Sequence, residues 1–155
     1  MTSPQAHLDY LNKLACREVG EWETRPMCDS INTLEGVIMN QLQWMVELEI
    51  KPGQEQAMRV LVAEMVSDVQ ANESGALDYK YNISQDGKCY LFERYVDGAA
   101  TLAHLDAFNR VFATRFVEVF QPLRFVVYGL PGPEVREALT GFNPVYTETI
   151  GGFRR

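Results

Sequence analysis

The sequence lacks the features that mark nucleic-acid-binding and membrane proteins. Its 155 residues carry 14 lysines and arginines against 21 aspartates and glutamates, which gives a net charge of -7 at pH 7. A nucleic acid or an anionic membrane would need a basic patch, and no basic run interleaved with aromatic residues occurs. No apolar run approaches the roughly 20 residues of a membrane span. The sequence therefore predicts neither a nucleic-acid partner nor a membrane partner.

Cysteine is also scarce, with Cys16, Cys28 and Cys89 as its three copies. An odd number without close spacing is a poor disulfide framework and a poor zinc site. The segment Met1–Asp9 lacks the basic and then apolar order of a secretory signal. Together these features predict free thiols and a cytoplasmic location.

Sequence motifs for cofactor chemistry are missing as well. The chain has no P-loop, no GxGxxG, no GxSxG and no metal-ligand cluster, and His7 and His104 are its two histidines. We therefore expect no metal and no bound cofactor. If the protein is an enzyme, its substrate should bring its own reactivity.

What is present is one patterned segment between two extensions. The three zones are an N-terminal extension over 1–41, a strongly patterned domain over 42–129, and a C-terminal extension over 130–155. The first extension has helical spacing over 7–19 and a second short element over 33–39. In the last zone a helix is expected from Pro133, because proline suits the first helical position, and a strand within 144–150.

The patterned domain alternates between strand and helix periodicity. Trp44, Val46, Leu48 and Ile50 share one face of a first strand, because side chains alternate between the two faces of a strand. Further strands are predicted over 77–83, 89–95 and 123–128, and helices over 54–72 and from 99 to about 120, broken near Asn109. The order β-α-β-β-α-β predicts an α+β, ferredoxin-like antiparallel sheet with two helices on one face.

The second face of that sheet is apolar and needs cover. It is predicted to carry Met45, Tyr90, Phe92, Val126 and Tyr128. Two copies that stack sheet on sheet would cover it, which predicts a homodimer. The alternative is that one of the extensions covers this face within one chain.

His104 is the first candidate for chemistry. Residues four apart lie nearly in line on a helix, so His104 follows the stripe of Phe108, Phe112 and Phe116 toward the sheet. Burial there should lower its pKa and keep it neutral, which suits a general base. The alternative is a core histidine bonded to a backbone carbonyl or a tyrosine.

Glu93 and Tyr95 share a strand face just before the helix of His104. They could orient a substrate hydroxyl or fix the imidazole tautomer. Alternatively, Tyr95 packs in the core with its hydroxyl at the edge, and Glu93 pairs with a basic neighbour. On the opposite face, Glu47 and Glu49 with Arg94 are typical of an ion-pair network.

Several segments resemble the antibiotic biosynthesis monooxygenase domain, part of the dimeric α/β-barrel superfamily. The matching pieces are Glu49–Gly53, Asn72–Gly75, Tyr79 with Tyr81, Glu93–Asp97, and Ala103 with His104, within about residues 44–129.

The resemblance implies a homodimer with a pocket between each sheet and its helices. Several relatives oxidise quinol-like substrates with molecular oxygen and no bound cofactor, and the histidine that matches His104 often lines the pocket. The chain departs from its relatives at Tyr95, where tryptophan is usual, and at Asn109, where a second histidine often stands. Val46 stands where the haem-degrading branch has an asparagine, which argues against haem degradation by this protein.

These features predict a cofactor-independent monooxygenase of a small aromatic phenol or quinol, with molecular oxygen as the second substrate. The catalytic candidates are His104 as base, with Tyr95 and Glu93 to orient the substrate. The substrate-binding candidates are Trp44, Val46, Tyr79, Tyr81, Leu91, Phe108 and Phe112. The alternatives are a dimeric small-molecule-binding or stress-response protein without turnover, and an isomerase that moves a proton through the same histidine.

Overall fold

Residues 41–153 are described by the structure, a computed structural model, and the elements expected over 7–19 and 33–39 lie outside this range. The elements are β1 (Leu42–Ile50), α1 (Glu55–Asn72), β2 (Ala76–Ile83), β3 (Cys89–Tyr95), α2 (Gly98–Val111), α3 (Ala113–Val119), β4 (Phe120–Tyr128), α4 (Pro133–Leu139), a 3-10 turn (Thr140–Phe142) and β5 (Val145–Thr147). None of the helices in this range is long and apolar enough to cross a membrane.

The strands form one mixed sheet in the order β2-β3-β1-β4-β5. The first four are antiparallel to their neighbours, and β5 runs parallel to β4. This confirms the α+β, ferredoxin-like arrangement that the sequence predicts. The short strand β5, from the C-terminal extension, covers the edge of β4.

One face of the sheet carries the core. Trp44 lies opposite Glu93 in the β1–β3 ladder, and Tyr79 lies opposite Glu93 in the β2–β3 ladder, so all three point to the same side. The helix α1 packs on this core through Met58, Leu61, Met65 and Val69, all buried at spacings of three and four residues. Each fully buried side chain of this kind contributes about 1.5–3 kcal/mol to stability relative to an exposed one.

The second predicted helix is interrupted at Phe112 rather than near Asn109. Phe112 has φ -114, yet its N–H donates to the Phe108 carbonyl and its own carbonyl accepts from Phe116, both at 2.8 Å. The chain therefore bends from α2 into α3 without losing its hydrogen bonds. Strand β4 begins at Phe120, three residues before the predicted start. Pro122 fits inside it because the β1–β4 register shifts between Glu47 and Leu48, and such irregularities tolerate proline.

A close backbone approach holds α2 against the turn that follows α1. A Cβ added to Gly75 would lie 2.5 Å from the Cβ of Ala100, closer than carbon atoms approach. Glycine at this position therefore lets the first turn of α2 sit directly on the α1–β2 connection. The same helix start is capped by Asp97, whose carboxylate accepts from the Ala100 N–H at 2.8 Å.

The opposite face of the sheet combines apolar residues with ion pairs. Met45, Tyr90, Phe92 and Tyr128 are half-buried there, and Val126 is buried. Glu47 accepts from Lys88 at 2.8 Å, and Arg94 pairs with Asp78 at 2.7 Å. Glu47 and Arg94 thus each pair with an opposite charge, Lys88 and Asp78, rather than with one another.

Candidate active site

A cavity of about 320 Å³ lies between the core face of the sheet and the helices α2 and α3. Its walls are mostly apolar, and its polar side chains are Glu93, His104, Asn109 and Gln121. The full lining is Trp44, Val46, Leu91, Glu93, His104, Leu105, Phe108, Asn109, Ala113, Phe116, Val117, Gln121, Pro122, Phe125, Gly141 and Phe142. The last two belong to the C-terminal extension, which therefore closes part of this chain's own cavity.

The imidazole of His104 lies between two carboxylates. Its Nδ1 atom is 2.9 Å from Oε2 of Glu73, and its Nε2 atom is 3.3 Å from Oε2 of Glu93. Glu73 comes from the end of α1 and Glu93 from the middle of β3. Three elements therefore converge on one ring, and both ring nitrogens face an acid.

The Glu93 carboxylate is buried and held by neighbouring donors. The Tyr95 hydroxyl donates to Glu93 Oε2 at 2.5 Å. Burial raises the pKa of Glu93, although the charge of His104 and hydrogen bonds from Tyr95 and Trp44 act against this rise. Glu93 is thus a carboxyl group that binds a proton more readily than an exposed glutamate does.

The pKa of His104 is raised, so the expectation that burial would lower it is wrong. Burial does act to lower this pKa, as the sequence argument assumes. The hydrogen bond to Glu73 and the negative charges of Glu93 and Glu73 outweigh burial. The ring therefore binds a proton more readily than a free imidazole does.

Six of the predicted site residues line the cavity. They are His104, Glu93, Trp44, Val46, Leu91 and Phe108. His104 is not a core histidine bonded to a carbonyl or a tyrosine, because its partners are acids and its ring borders open space.

The other four predicted residues do not line it. Tyr95 is fully buried behind Glu93 and reaches the site through that carboxylate. Tyr79 lies beside the His104 ring, at 5.6 Å between centroids, and bonds to the Tyr81 hydroxyl at 3.2 Å. Tyr81 in turn reaches the Met65 sulfur at 3.7 Å, so both tyrosines face α1 instead of the cavity. Phe112 packs in the core below the cavity, because the bend at this residue takes it out of line with His104 and Phe108.

Sequence reasoning missed Glu73 and the aromatic residues Phe125 and Phe142. Glu73 lies within the Asn72–Gly75 segment that carries the family resemblance, which is a signal that could have drawn attention to it. Phe125 packs edge-on against Trp44, with ring centroids 5.6 Å apart, and Phe142 packs edge-on against Phe125 at 6.1 Å. No periodicity connects the extension to the strand, so Phe142 gives no such signal.

The part of the chain between residues 41 and 153 contains no group of three His, Cys, Asp or Glu side chains arranged to hold a metal ion. Cys89 is buried, and burial raises the pKa of its thiol to about 11, so it favours the neutral form. The arrangement that is present suits proton transfer at the end of an apolar cavity.

Comparison with solved structures shows the same fold in proteins of low sequence identity. MupZ from Pseudomonas fluorescens is 21% identical with a TM-score of 0.66, over 75% of this chain and 95% of MupZ. Rv0793 from Mycobacterium tuberculosis is 22% identical with a TM-score of 0.52, over 59% of this chain and 96% of the other. A candidate antibiotic biosynthesis monooxygenase from Nitrosomonas europaea is 18% identical with a TM-score of 0.52, over 61% and 93% of the two chains.

The sequence comparisons agree with the resemblance drawn from the motifs. No curated protein matches the chain. The family model described as antibiotic biosynthesis monooxygenase matches residues 44–109, a range that holds Trp44, Glu73, Glu93 and His104. Residues 44–109, less than half of the chain, are therefore similar to the antibiotic biosynthesis monooxygenase family.

Proposed function

We propose that the protein is a cofactor-independent monooxygenase that acts on a small phenol or quinol with molecular oxygen. The observation that carries this proposal is the His104–Glu93 pair in the wall of a mostly apolar cavity of about 320 Å³. Ligand pockets span roughly 300–1,000 Å³, so this cavity suits a molecule of one or two rings. The match of residues 44–109 to the antibiotic biosynthesis monooxygenase family model supports the same reaction class.

The His104–Glu93 pair is suited to deprotonate the substrate hydroxyl. Because burial raises the pKa of Glu93, its carboxylate is a stronger base than an exposed glutamate. His104, whose pKa is raised and whose Nε2 atom lies 3.3 Å from the carboxylate oxygen, takes up that proton and, as an imidazolium, stabilises the phenolate that forms. The base is thus the pair rather than a neutral His104 alone.

The oxygen step needs no external electron donor. The phenolate passes one electron to O₂, and the substrate radical and superoxide combine to a peroxide anion at a hydrogen-bearing carbon ortho or para to the oxygen. This anion takes up one proton from solvent, which balances the proton that the phenol gave up, and becomes a hydroperoxide. Loss of water from this hydroperoxide leaves a carbonyl. One oxygen atom enters the product, the other leaves as water, and the substrate supplies all the electrons.

The apolar walls protect this intermediate. Val46 and Leu91 from the sheet and Phe108 from α2 line the space around the pair. Exclusion of water by such walls strengthens the electrostatic interactions inside and limits side reactions.

A proton-transfer isomerase is the second candidate. What favours it is the direct contact between an acid and a base at one cavity wall, since this pair can move a proton between two atoms without any oxidant. A binding protein without turnover would use the same cavity.

Oxygen uptake with a panel of phenols and hydroquinones tests the proposal. We expect the wild type to consume oxygen and Glu93→Gln to be slower by about 10²–10⁴-fold, the usual contribution of a general acid or base. The matched control is Glu64→Gln, which removes an exposed glutamate that pairs with Arg115. Equal uptake by wild type and Glu93→Gln would contradict the mechanism. Turnover without oxygen would identify the isomerase, and thermal stabilisation without product would identify the binding protein.

We also propose that the protein works as a homodimer that buries the outer face of its sheet. Support comes from the apolar residues of that face, among them Met45, Tyr90 and Phe92. Light scattering should give twice the mass of one chain for the wild type and the mass of one chain for Phe92→Glu. If both proteins have the mass of one chain, the result would instead favour an extension that covers the outer sheet face within the same chain.

The proposed domain boundaries and location complete this description. We propose that the domain over 42–129 provides the chemistry and that the extension over 130–155 completes the cavity, since Gly141 and Phe142 line it. A reducing, cytoplasmic location suits the unpaired thiol of Cys89.

A further inference from the structure

A second cavity of about 400 Å³ lies where the end of α1 meets the start of α2. Its lining includes Glu73, Asp97 and Ala103, and it shares no residue with the first cavity. Glu73 is the residue that connects the two, because it lines the second cavity and contacts His104, which lines the first.

Burial of the charged groups decreases step by step along this connection. The side chain of Glu93 is 4% exposed, that of His104 is 5% exposed, and that of Glu73 is 13% exposed. The three groups are joined by contacts of 3.3 Å and 2.9 Å. Glu73 is therefore the member of the chain that is most open to solvent.

The backbone fixes the position of Glu73. It is the residue that ends α1, and its N–H donates to the Val69 carbonyl at 2.9 Å. Two residues later, Gly75 packs so closely on Ala100 that no side chain would fit between them. The contact at Ala100 lies one helical turn before His104, so the end of α1 and its Glu73 carboxylate are held beside the ring.

The contact of Glu73 with Nδ1 determines what the other ring nitrogen can do. A carboxylate that accepts from Nδ1–H holds the proton on that atom and presents Nε2 to Glu93. The other groups that face the ring are Tyr79 from β2 and Tyr95 from β3, with ring centroids 5.6 Å and 5.0 Å away. Burial and the neighbouring carboxylates raise the pKa of both phenols, so they stay neutral and leave the two acids to control His104.

We propose that Glu73 is a positioning residue for the His104–Glu93 pair, and that it passes the proton taken from the substrate through His104 to the second cavity. The proposal rests on the proposed function for its proton source. A proton received by Glu93 moves to Nε2, the Nδ1 proton moves to Glu73, and Glu73 releases it to solvent. No bond other than those to hydrogen changes in this sequence.

The first test follows the imidazole directly and needs no turnover. The chain has two histidines, so ¹⁵N-histidine labelling gives the Nδ1 and Nε2 signals of two rings, and in His7→Gln only the pair from His104 remains. In the wild type we expect a proton on Nδ1 and a raised pKa, and in Glu73→Gln a lower pKa for the same ring. The control is Ser74→Ala, a neighbour that also lines the second cavity. An unchanged His104 titration in Glu73→Gln would overturn the proposal.

The second test separates proton transfer from a purely structural role. Turnover of Glu73→Ala should fall by roughly a hundredfold, the lower end of general acid–base effects, and its pH optimum should shift. Formate, which can occupy the space left in the second cavity, should restore turnover in a saturable way, and Glu73→Gln should not respond to formate. The relay would be overturned if the imidazole titration changes but the pH–rate profile does not and formate does not restore turnover. The proposed function would still stand after that result. If the wild type turns over no substrate, the proposed function fails, and the imidazole titration alone decides whether Glu73 positions His104.

Discussion

The two ends of the first cavity differ in composition and in origin. Its inner end, made by Trp44, Glu93 and His104, is buried and holds the ionisable groups. Its outer end, made by Val117, Phe125 and Phe142, is apolar, and Val117 and Phe142 are exposed there. A line of aromatic rings from Tyr95 through Trp44 and Phe125 to Phe142 joins the two ends.

The boundary between these ends coincides with the boundary of the family match. Every inner-end residue lies within 44–109, and every outer-end residue lies beyond it. Proteins that share the family segment can therefore keep the proton-transfer groups while the outer end changes in shape. Substitutions at the inner end should affect chemistry and stability, and those at the outer end should affect which molecule is accepted.

Removal of the inner-end imidazole should have the largest effect. His104→Ala leaves the carboxylates of Glu73 and Glu93 facing each other without the ring between them, and breaking a buried pair costs about 3–5 kcal/mol. Urea unfolding measures this loss of stability. Arg115→Ala, which breaks the exposed pair with Glu64, is the matched control and should change stability little. Equal losses in the two variants would show that the inner-end pair is not buried as described.

Removal of one hydroxyl behind the inner end should have a smaller effect. Tyr95→Phe deletes the donor to Glu93, and hydrogen bonds to charged groups contribute about 1.5–3 kcal/mol. The pKa of Glu93 should rise further, because one of the interactions that lowers it is lost. Tyr79→Phe is the control, since its hydroxyl bonds to Tyr81 instead, and a neutral bond of this kind contributes about 1 kcal/mol. The prediction is wrong if Tyr79→Phe costs as much stability as Tyr95→Phe.

The pH dependence of stability tests the charge balance of the inner end. Since the folded-state pKa of His104 is raised, its contribution is complete below about pH 6.5, the ordinary value, and is lost as pH rises through the folded-state pKa. In the double variant Glu73→Gln with Glu93→Gln, both carboxylates that raise this pKa are gone and burial alone acts on the ring. Its pKa then lies below the ordinary value, so stability should instead be lost as pH falls below about 6.5.

Thermal unfolding between pH 5 and 9 measures this change of sign. At each pH the stability of the double variant is subtracted from that of the wild type, so that the contributions of titratable groups present in both proteins cancel. Parallel curves for wild type and double variant would refute the assignment of the raised pKa to Glu73 and Glu93.

The inner end could largely be predicted from the sequence, because local periodicity determines which side chains share a face. The alternation of β1 and β3 places Trp44, Glu93 and Tyr95 together, and helical spacing places His104 toward the sheet. The charge state of His104 could not be predicted, since it depends on Glu73, 31 residues away in sequence. Its contact with Glu73 forms only because Gly75 lets α2 approach the end of α1.

The outer end could not be predicted, for a related reason. Phe142 reaches the cavity because α4 packs beside α2 and β5 pairs with β4, and no pattern within 130–155 encodes those partners. The bend at Phe112 likewise depends on packing between α1 and α3. Long-range packing, not local periodicity, therefore determines the residues that shape the outer end of the cavity.

The smallest expected effect on stability belongs to Phe142→Ala at the outer end. Phe142 is exposed and makes one edge-on contact with Phe125, and aromatic pairs of this kind contribute about 0.5–1.5 kcal/mol. If Phe142 makes an edge-on contact of similar strength with a one-ring substrate, its loss raises KM roughly two- to tenfold and leaves kcat unchanged, because the inner-end groups are intact. A substrate with an additional ring should gain relative to the small one, since the truncated side chain opens the outer end. Steady-state kinetics with a matched pair of one-ring and two-ring phenols measures both effects, with Phe153→Ala, an exposed phenylalanine that does not line the cavity, as the control. If kcat falls while the preference between the two substrates stays the same, Phe142 acts on the chemistry and the division of the cavity into two ends is wrong.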